Sequence, residues 1–382
     1  MTTDLLARAT DALPTLMHDL ERLVTCESPT ADLAAVAAGA NLVDVMGAGY
    51  LGSAAERIVV DGRTHLRWRL GGDTGPRVLI VCHQDTVWPI GTLQRLPFRV
   101  EDGIVYGPGC FDMKTGLAMA FHALRLLGAP QTLPSVTLLV TGDEEIGSPT
   151  SRQLIEDEAR QSSAAFVLEA SGNGGALKTG RKGVSLFRVS AFGRASHAGL
   201  EPEKGLNAAV EIAGQVLAIN GLGDPAAGTS VVPSVLSAGT TSNTVPAAAT
   251  LMVDSRAWTV AEQQRVQAAM TSLQPTVPGA RVEVTGGINR PPMEPAGSQT
   301  LFALAEELSS QIGSGALQQI SVGGGSDGNF TAGVGCPTLD GMGAVGGGAH
   351  ADSEHVIVEE IPRRTALLAG LIDAVCSGAA VR

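Results

Sequence analysis

Aromatic side chains make up only 3% of the 382 residues, and Lys and Arg (26) are outnumbered by Asp and Glu (38), for a formal net charge of −12 at pH 7. So few rings leave little for bases to stack on, and the acidic excess opposes the phosphate neutralisation that drives nucleic-acid binding; no nucleic-acid partner is expected. Cysteine is sparse: Cys26, Cys82, Cys110, Cys336 and Cys376 form an odd set without a CxxC pair, in a chain long enough to build a core without disulfide staples. That predicts a reducing, cytoplasmic setting. The opening MTTDLLARATDALPTLMHDLERLV scatters Asp4, Asp11, Asp19 and Glu21 among its leucines, which does not suit a secretory leader. No run of about 20 apolar residues is evident elsewhere, so no membrane association is expected.

What is present is apolar side chain, at 44% hydrophobic against 17% charged, enough to bury a core. The length exceeds one usual core and predicts two domains, or one large domain carrying an insertion. Leu5, Leu6, Leu13, Leu16, Leu20, Leu23 and Val24 recur at helical intervals, predicting an amphipathic helix that ends before Ser28 and Pro29. Three apolar runs follow, RVLIVCH, SVTLLVTGDEE and AAFVLEAS, each continuous rather than alternating, as in strands covered on both faces. A stretch with helical period, TGLAMAFHALRLLGA, separates the first two, so the pattern is βαβ and the expected class is α/β, a mixed sheet with helices on both faces.

From about Gly180 the order becomes SLFRVSAF, GLNAAVEIAGQVLAIN, SVVPSVLSAG, ATLMVDSRAW, TVAEQQRVQAAMTSLQ, ARVEVTGG. Strands and helices alternate there as βαββαβ, the ferredoxin-like split βαβ arrangement, and predict an inserted α+β domain. The expected boundaries are 1–179, 180–289 for the insertion, and 290–382 for the return to the first domain, closed by the helix ALLAGLIDAV.

Each apolar run stops in groups that carry chemistry: His83 and Asp85, Asp143 to Glu145, and Glu169. Ligands of open α/β sheets bind beyond the carboxyl ends of the strands, so these endings can converge. With Asp112 in GPGCFDMKTG and His350 in GAHAD they supply two imidazoles and several carboxylates, a nitrogen and oxygen donor set suited to zinc or another divalent transition ion. Five donors exceed the need of one zinc and suit two ions about 3.5–4 Å apart, bridged by one carboxylate, a pairing that activates water and polarises a carbonyl. Asp112 beside a helix start also suits an N-cap, and the two roles are compatible.

HQDTVWP, GPGCFDMKTG, GDEEIGS, RASHAG, TSNTVPA, GGGSDG and GAHADSEHV occur in that order over nearly the whole chain, which resembles the dinuclear zinc M20 peptidases and, within them, the glutamate carboxypeptidase branch. The resemblance implies a zinc-exopeptidase-like first domain, an inserted lid and dimerisation domain, and two Zn2+ per subunit with Co2+ or Mn2+ as substitutes. It implies His83 and Glu169 on one ion, Glu145 and His350 on the other, and Asp112 bridging. Asp85 would orient His83, Glu144 would be the general base, and His197 of a homodimer partner would stabilise the oxyanion in the neighbouring site. Asn243 and Arg256, then Arg290 and Gly325, are the expected substrate-binding residues, with Lys182 nearby, because an arginine fork matches a free carboxylate. The expected substrate is a peptide or small molecule with a free carboxylate, and the expected reaction releases C-terminal glutamate or a related residue. An N-acyl amino acid or an aryl amide is the alternative. Cys82, Cys110, Phe111 and Met113 depart from the family pattern beside the donors without changing donor types.

Two rival functions remain. VGGGSDGN contains a GxSxG match on Ser326, with Asp340 or Asp352 and His350 or His355 following in the order of a serine hydrolase. That constellation leaves the upstream His83, Asp112, Glu144 and Glu145 boxes without work. A noncatalytic amino-acid or peptide binder would have no need of Glu144 as a base.

Overall fold

Continuous apolar runs call for strands buried on both faces, and the computed structural model, which describes residues 4–72 and 75–381, puts them there. Val78–His83, Val136–Thr141 and Ala164–Val167 are buried at every position. They run parallel in the middle of a six-stranded sheet of order Glu56–Val60, Arg63–Leu70, Val136–Thr141, Val78–His83, Ala164–Val167, Thr338–Leu339. The first two strands are antiparallel, so the sheet is mixed. Alternation sends Val78, Ile80 and Cys82 into a core with the helices Leu5–Thr25, Leu33–Leu51, Thr115–Leu127 and Glu360–Cys376. Leu79 and Val81 point the other way, onto Ile155, Ala159 and Phe330.

Two elements of this unit were not expected. The hairpin Glu56–Val60 to Arg63–Leu70 carries Arg63, Arg67 and Arg69, which break up its apolar pattern. Its signal is the Asp61-Gly62 dipeptide, with φ of 50° and 79°, a two-residue turn matched to the strand twist. The helix Leu33–Leu51 corrects the expectation that no further segment reaches spanning length, since by length and composition alone it does, with a mean hydropathy of 1.3. Its apolarity follows from close packing of small residues: Val36, Gly39, Ala40, Val43, Met46 and Gly47 are buried, and a Cβ on Gly47 would lie 2.4 Å from Trp68 Cζ2. Asp32 caps it, accepting the Ala34 and Ala35 N–H groups.

Contacts divide the chain into two units, Met1–Gly180 with Pro295–Val322 and Ser326–Arg382, and Arg181–Glu294 with Gly323–Gly325. The second unit is a four-stranded antiparallel sheet of order Ser230–Ala238, Ala248–Ala257, Gly183–Phe192, Arg281–Arg290. Its helices Ala208–Asn220 and Val260–Thr271 interleave in the βαββαβ order. Phe187, Val189, Leu251 and Val253 face Ala208, Ile212 and Val266 of those helices, while Leu186, Val232 and Met252 are exposed.

In the first unit the crossover from Val78–His83 to Val136–Thr141 runs through the helix Thr115–Leu127, and all three central strands therefore end on one side. Gly116, in the first turn of that helix, is packed so closely that a Cβ would lie 2.1 Å from the Leu168 carbonyl oxygen. Backbone on both sides cannot move apart cheaply, so Gly116→Ala is expected to lose about 1–3 kcal/mol of stability. A urea midpoint equal to that of the unchanged protein would contradict this packing.

Candidate metal centre

The parallel strands deliver their donors in turn. His83 is the last residue of Val78–His83, Glu144 and Glu145 open the turn after Val136–Thr141, and Glu169 follows Ala164–Val167. Asp112 lies in the Cys110–Lys114 turn just before its helix, with a cis peptide to Met113. His350 comes from the loop ahead of His355–Ile357 and holds a left-handed φ of 62°, a conformation that side chains rarely adopt.

These five side chains meet as two trios sharing one member, His83 with Asp112 and Glu169, and Asp112 with Glu145 and His350, the donor atoms of each trio lying within 4.8 Å of one another. Asp112 turns one carboxylate oxygen to each side. Its Oδ1 is 3.2 Å from His83 Nε2 and its Oδ2 is 3.4 Å from His350 Nε2. His83 Nε2 is also 3.5 Å from Glu169 Oε1, and His350 Nε2 is 3.2 Å from Glu145 Oε2.

Electrostatics describe the same demand. Hydrogen bonds to Asp112 and then Glu145 push His350 up to about 10. Burial works to lower His83, but Asp112, Asp85 and Glu169 outweigh it and hold the imidazole well above its ordinary value. Burial raises Glu145, while Asp112 is held far below the usual carboxylate range because both imidazoles overcome its burial. Three carboxylates crowded around two imidazoles make a field that favours positive charge. Glu145 Oε1, moreover, is buried with no hydrogen-bond partner. An orphaned carboxylate oxygen costs free energy unless something electropositive meets it, and the donor types fit divalent transition ions.

Asp85 is fully buried and does more than orient an imidazole. His83 Nδ1 is 2.9 Å from the Asp85 carbonyl oxygen, whereas the carboxylate is 3.6 Å away. The carboxylate instead accepts Thr30 Oγ1 at 2.7 Å and the backbone N–H groups of Glu144 and Glu145 at 3.3 Å each. Against its burial, these partners and His83 keep it below the usual carboxylate range. One aspartate thus ties the His83 strand end to the paired glutamates. Asp143, also buried, accepts from the N–H and hydroxyl groups of Thr150 and Ser151 and anchors the other side of that turn.

Glu354 carries no sequence expectation. Its buried carboxylate accepts Trp88 Nε1 at 2.8 Å and the N–H groups of Gly109, Phe111 and Asp112 at 2.8, 2.9 and 3.0 Å. It gathers the loop that presents Asp112 onto one acceptor, against a burial that raises its own pKa. Its signal was its position inside GAHADSEHV, but its partners are more than 240 residues away along the chain.

The remaining expected residues are placed as follows. Glu144 is half-buried in the turn beside Glu145. Ser326 is buried and donates to Asp340 Oδ2 at 2.5 Å, while His350 faces Asp112 and Glu145 and His355 Nδ1 bonds the Ser353 carbonyl; no imidazole serves the serine, which removes the serine-hydrolase constellation. Within the second unit, His197 is exposed and bridges to Thr244, which brings it beside Asn243. Arg256 departs from the open fork expected of it, since Nε and Nη2 pair with both oxygens of Asp254 at 2.8 Å. Arg290 is buried, with its carbonyl accepting from Gln263 at 2.8 Å. Lys182 donates to the Gly228 carbonyl and lies 5.1 Å over the Trp258 ring. Gly325 belongs to the glycine loop, where buried Arg181 donates to the neighbouring Gly324 carbonyl at 3.0 Å.

Comparison with known proteins agrees with this geometry. Residues 79–374 match the model of Peptidase family M20/M25/M40. Carboxypeptidase G2 of Pseudomonas sp. (strain RS-16) is 34% identical over 378 residues, covering 95% of this chain and 90% of that protein. Succinyl-diaminopimelate desuccinylase of Azoarcus sp. (strain BH72) is 26% identical over 333 residues, covering 81% and 86%. Among solved structures, aminopeptidase PepT from Bacillus cereus ATCC 10987 superposes with a TM-score of 0.72 at 22% identity, covering 95% of this chain and 98% of that one.

If Glu354 holds the Asp112 loop, Glu354→Gln turns an amide N–H2 toward backbone donors and is expected to cost about 1–3 kcal/mol of stability. Bound divalent metal should fall with it. Unchanged stability together with unchanged metal content would contradict the role.

Proposed function

The chain belongs to peptidase family M20/M25/M40 and is a hydrolase of that family, and from that premise we propose that it cleaves an amide bond next to an amino acid bearing a free carboxylate, releasing C-terminal glutamate or a related residue. The observation that carries this proposal is the single carboxylate of Asp112 facing His83 on one side and His350 on the other. In it, His83 and Glu169 hold one zinc, Glu145 and His350 a second, and Asp112 lies between them. Bound there, two such ions polarise an amide carbonyl and acidify water. Glu144 is assigned the proton: it takes it from the attacking water and returns it to the leaving nitrogen. The turn that Asp85 and Asp143 pin down limits how far that carboxylate can stray. Relatives named desuccinylase support a second substrate class on the same centre, an N-acyl amino acid.

The second unit is assigned dimerisation and substrate recognition. Leu186, Val232 and Met252 are apolar and exposed, which supports burial against a second copy. His197, exposed beside Asn243, is the oxyanion donor for the partner's site, and Asn243, Arg256, Arg290 and Gly325 hold the substrate's carboxylate end, Arg256 exchanging Asp254 for it. Five cysteines without a disulfide support a cytoplasmic setting.

Glu144→Gln should keep its metal and lose about 10²–10⁴-fold in turnover on glutamyl amides. Turnover of the unchanged protein in a metal-loaded Gln variant excludes the assignment. Chelation should abolish hydrolysis and zinc should restore it. His197→Ala should lose about 10²–10³-fold, and mixing it with Glu144→Gln should regenerate activity through hybrid dimers. Absence of any regeneration in mixtures shown to exchange subunits argues against action across the dimer.

A further inference from the structure

Beside the metal centre, wholly within the first unit, lies a cleft of about 440 Å³ lined by Pro29, Ala31, Val87, Pro89, Ile90 and Ile146, together with Thr30, Asp32, Thr86 and Glu145. Its size falls in the range of small-molecule sites. Glu145 belongs both to this lining and to the His350 trio, so the cleft is continuous with the donors.

Three large apolar side chains stand open to water there, Val87 at 41%, Ile90 at 58% and Ile146 at 52% exposure. Their clustering on one wall is what distinguishes them from scattered surface apolar residues. Both walls are held by main-chain bonds. Thr30 N–H donates to the Thr86 carbonyl at 3.1 Å, Thr86 N–H to the Ser28 carbonyl at 2.9 Å, and Glu27 accepts the N–H groups of Gly91 and Leu93 at 2.9 and 3.1 Å. The cleft is therefore built in advance rather than assembled around a guest.

Charge then selects the guest. No Lys or Arg is among the lining residues, and the ionisable ones are acidic, Asp32 and Glu145. Asp32 is engaged as the cap of the helix behind it. The cation bonded to the lining is Arg63, whose Nη1 is committed to the Thr30 carbonyl at 2.6 Å. A carboxylate entering here would shed water without gaining a partner, whereas an apolar group would cover three exposed aliphatic side chains.

We propose that this cleft is the subsite for the acyl half of the scissile amide, and that it selects an uncharged apolar acyl group, aryl or alkyl, over a carboxylate-bearing one such as succinyl. The inference rests on the amidohydrolase function above. It narrows the substrate class, setting an apolar acyl group on one side of the amide and a carboxylate-bearing amino acid on the other. Val87, Ile90 and Ile146 are then specificity-determining residues.

The test uses the purified, metal-quantitated enzyme with N-benzoyl-, N-hexanoyl- and N-succinyl-glutamate, and the variants Ile90→Lys and Val87→Lys. Both variants change exposed positions. The benzoyl and hexanoyl substrates should exceed the succinyl one by at least about tenfold in kcat/KM. Each lysine variant should narrow or reverse that ratio, through KM more than kcat. Chelator-sensitive turnover that favours the succinyl substrate, or a ratio untouched by both lysines, overturns the subsite while leaving the amidohydrolase function standing. Absence of chelator-sensitive turnover on every substrate overturns both.

Discussion

A single carboxylate, that of Asp112, reaches two imidazoles that come from opposite ends of the chain, His83 and His350, one on each oxygen. Everything around it serves that placement. Glu354 collects the N–H groups of the loop that carries it, and the helix behind it packs through Gly116 against the Leu168 carbonyl, next to Glu169. Asp85 and Asp143 do the same for the paired glutamates, one from each side. Burying so many carboxylates costs free energy, and most of them are repaid in hydrogen bonds to main-chain donors. Those that meet at Asp112 are repaid only in part: Glu145 still has an oxygen without a partner.

The sheet was legible because both of its faces are covered. Continuous apolar runs with a helical stretch between them specify parallel strands, and parallel strands in right-handed succession end on one side, which is why strand endings could be grouped before any geometry was known. The same logic gave the βαββαβ order of the second unit, whose one-sided sheet shows the alternation at Phe187, Val189 and Val253. The elements that escaped have physical reasons. Arg67 and Arg69 on the antiparallel strand obscure its pattern because their guanidinium groups are drawn to buried Glu158, a partner distant in sequence. The helix Leu33–Leu51 escaped because its small residues give no clear amphipathic stripe.

At the candidate site, donor types and strand ends are local properties, so the five side chains of the two trios could be grouped from sequence. Supporting contacts are not local. Glu354 is one acidic residue among many until the chain folds it against residues 109–112, and the division of Asp85 between a carbonyl for His83 and a carboxylate for the glutamate turn is a matter of angstroms. Arg256 illustrates the opposite hazard, a side chain whose chemistry suits a ligand but whose own strand supplies an aspartate two residues away.

Metal stoichiometry in an Asp112→Asn variant tests the shared carboxylate most directly. Elemental analysis of the unchanged protein should find two divalent ions per chain, His350→Ala should lose one, and Asp112→Asn should lose both together with hydrolysis. An Asp112→Asn protein that is folded and keeps both ions, or an active unchanged protein that binds none, would contradict the central place given to Asp112.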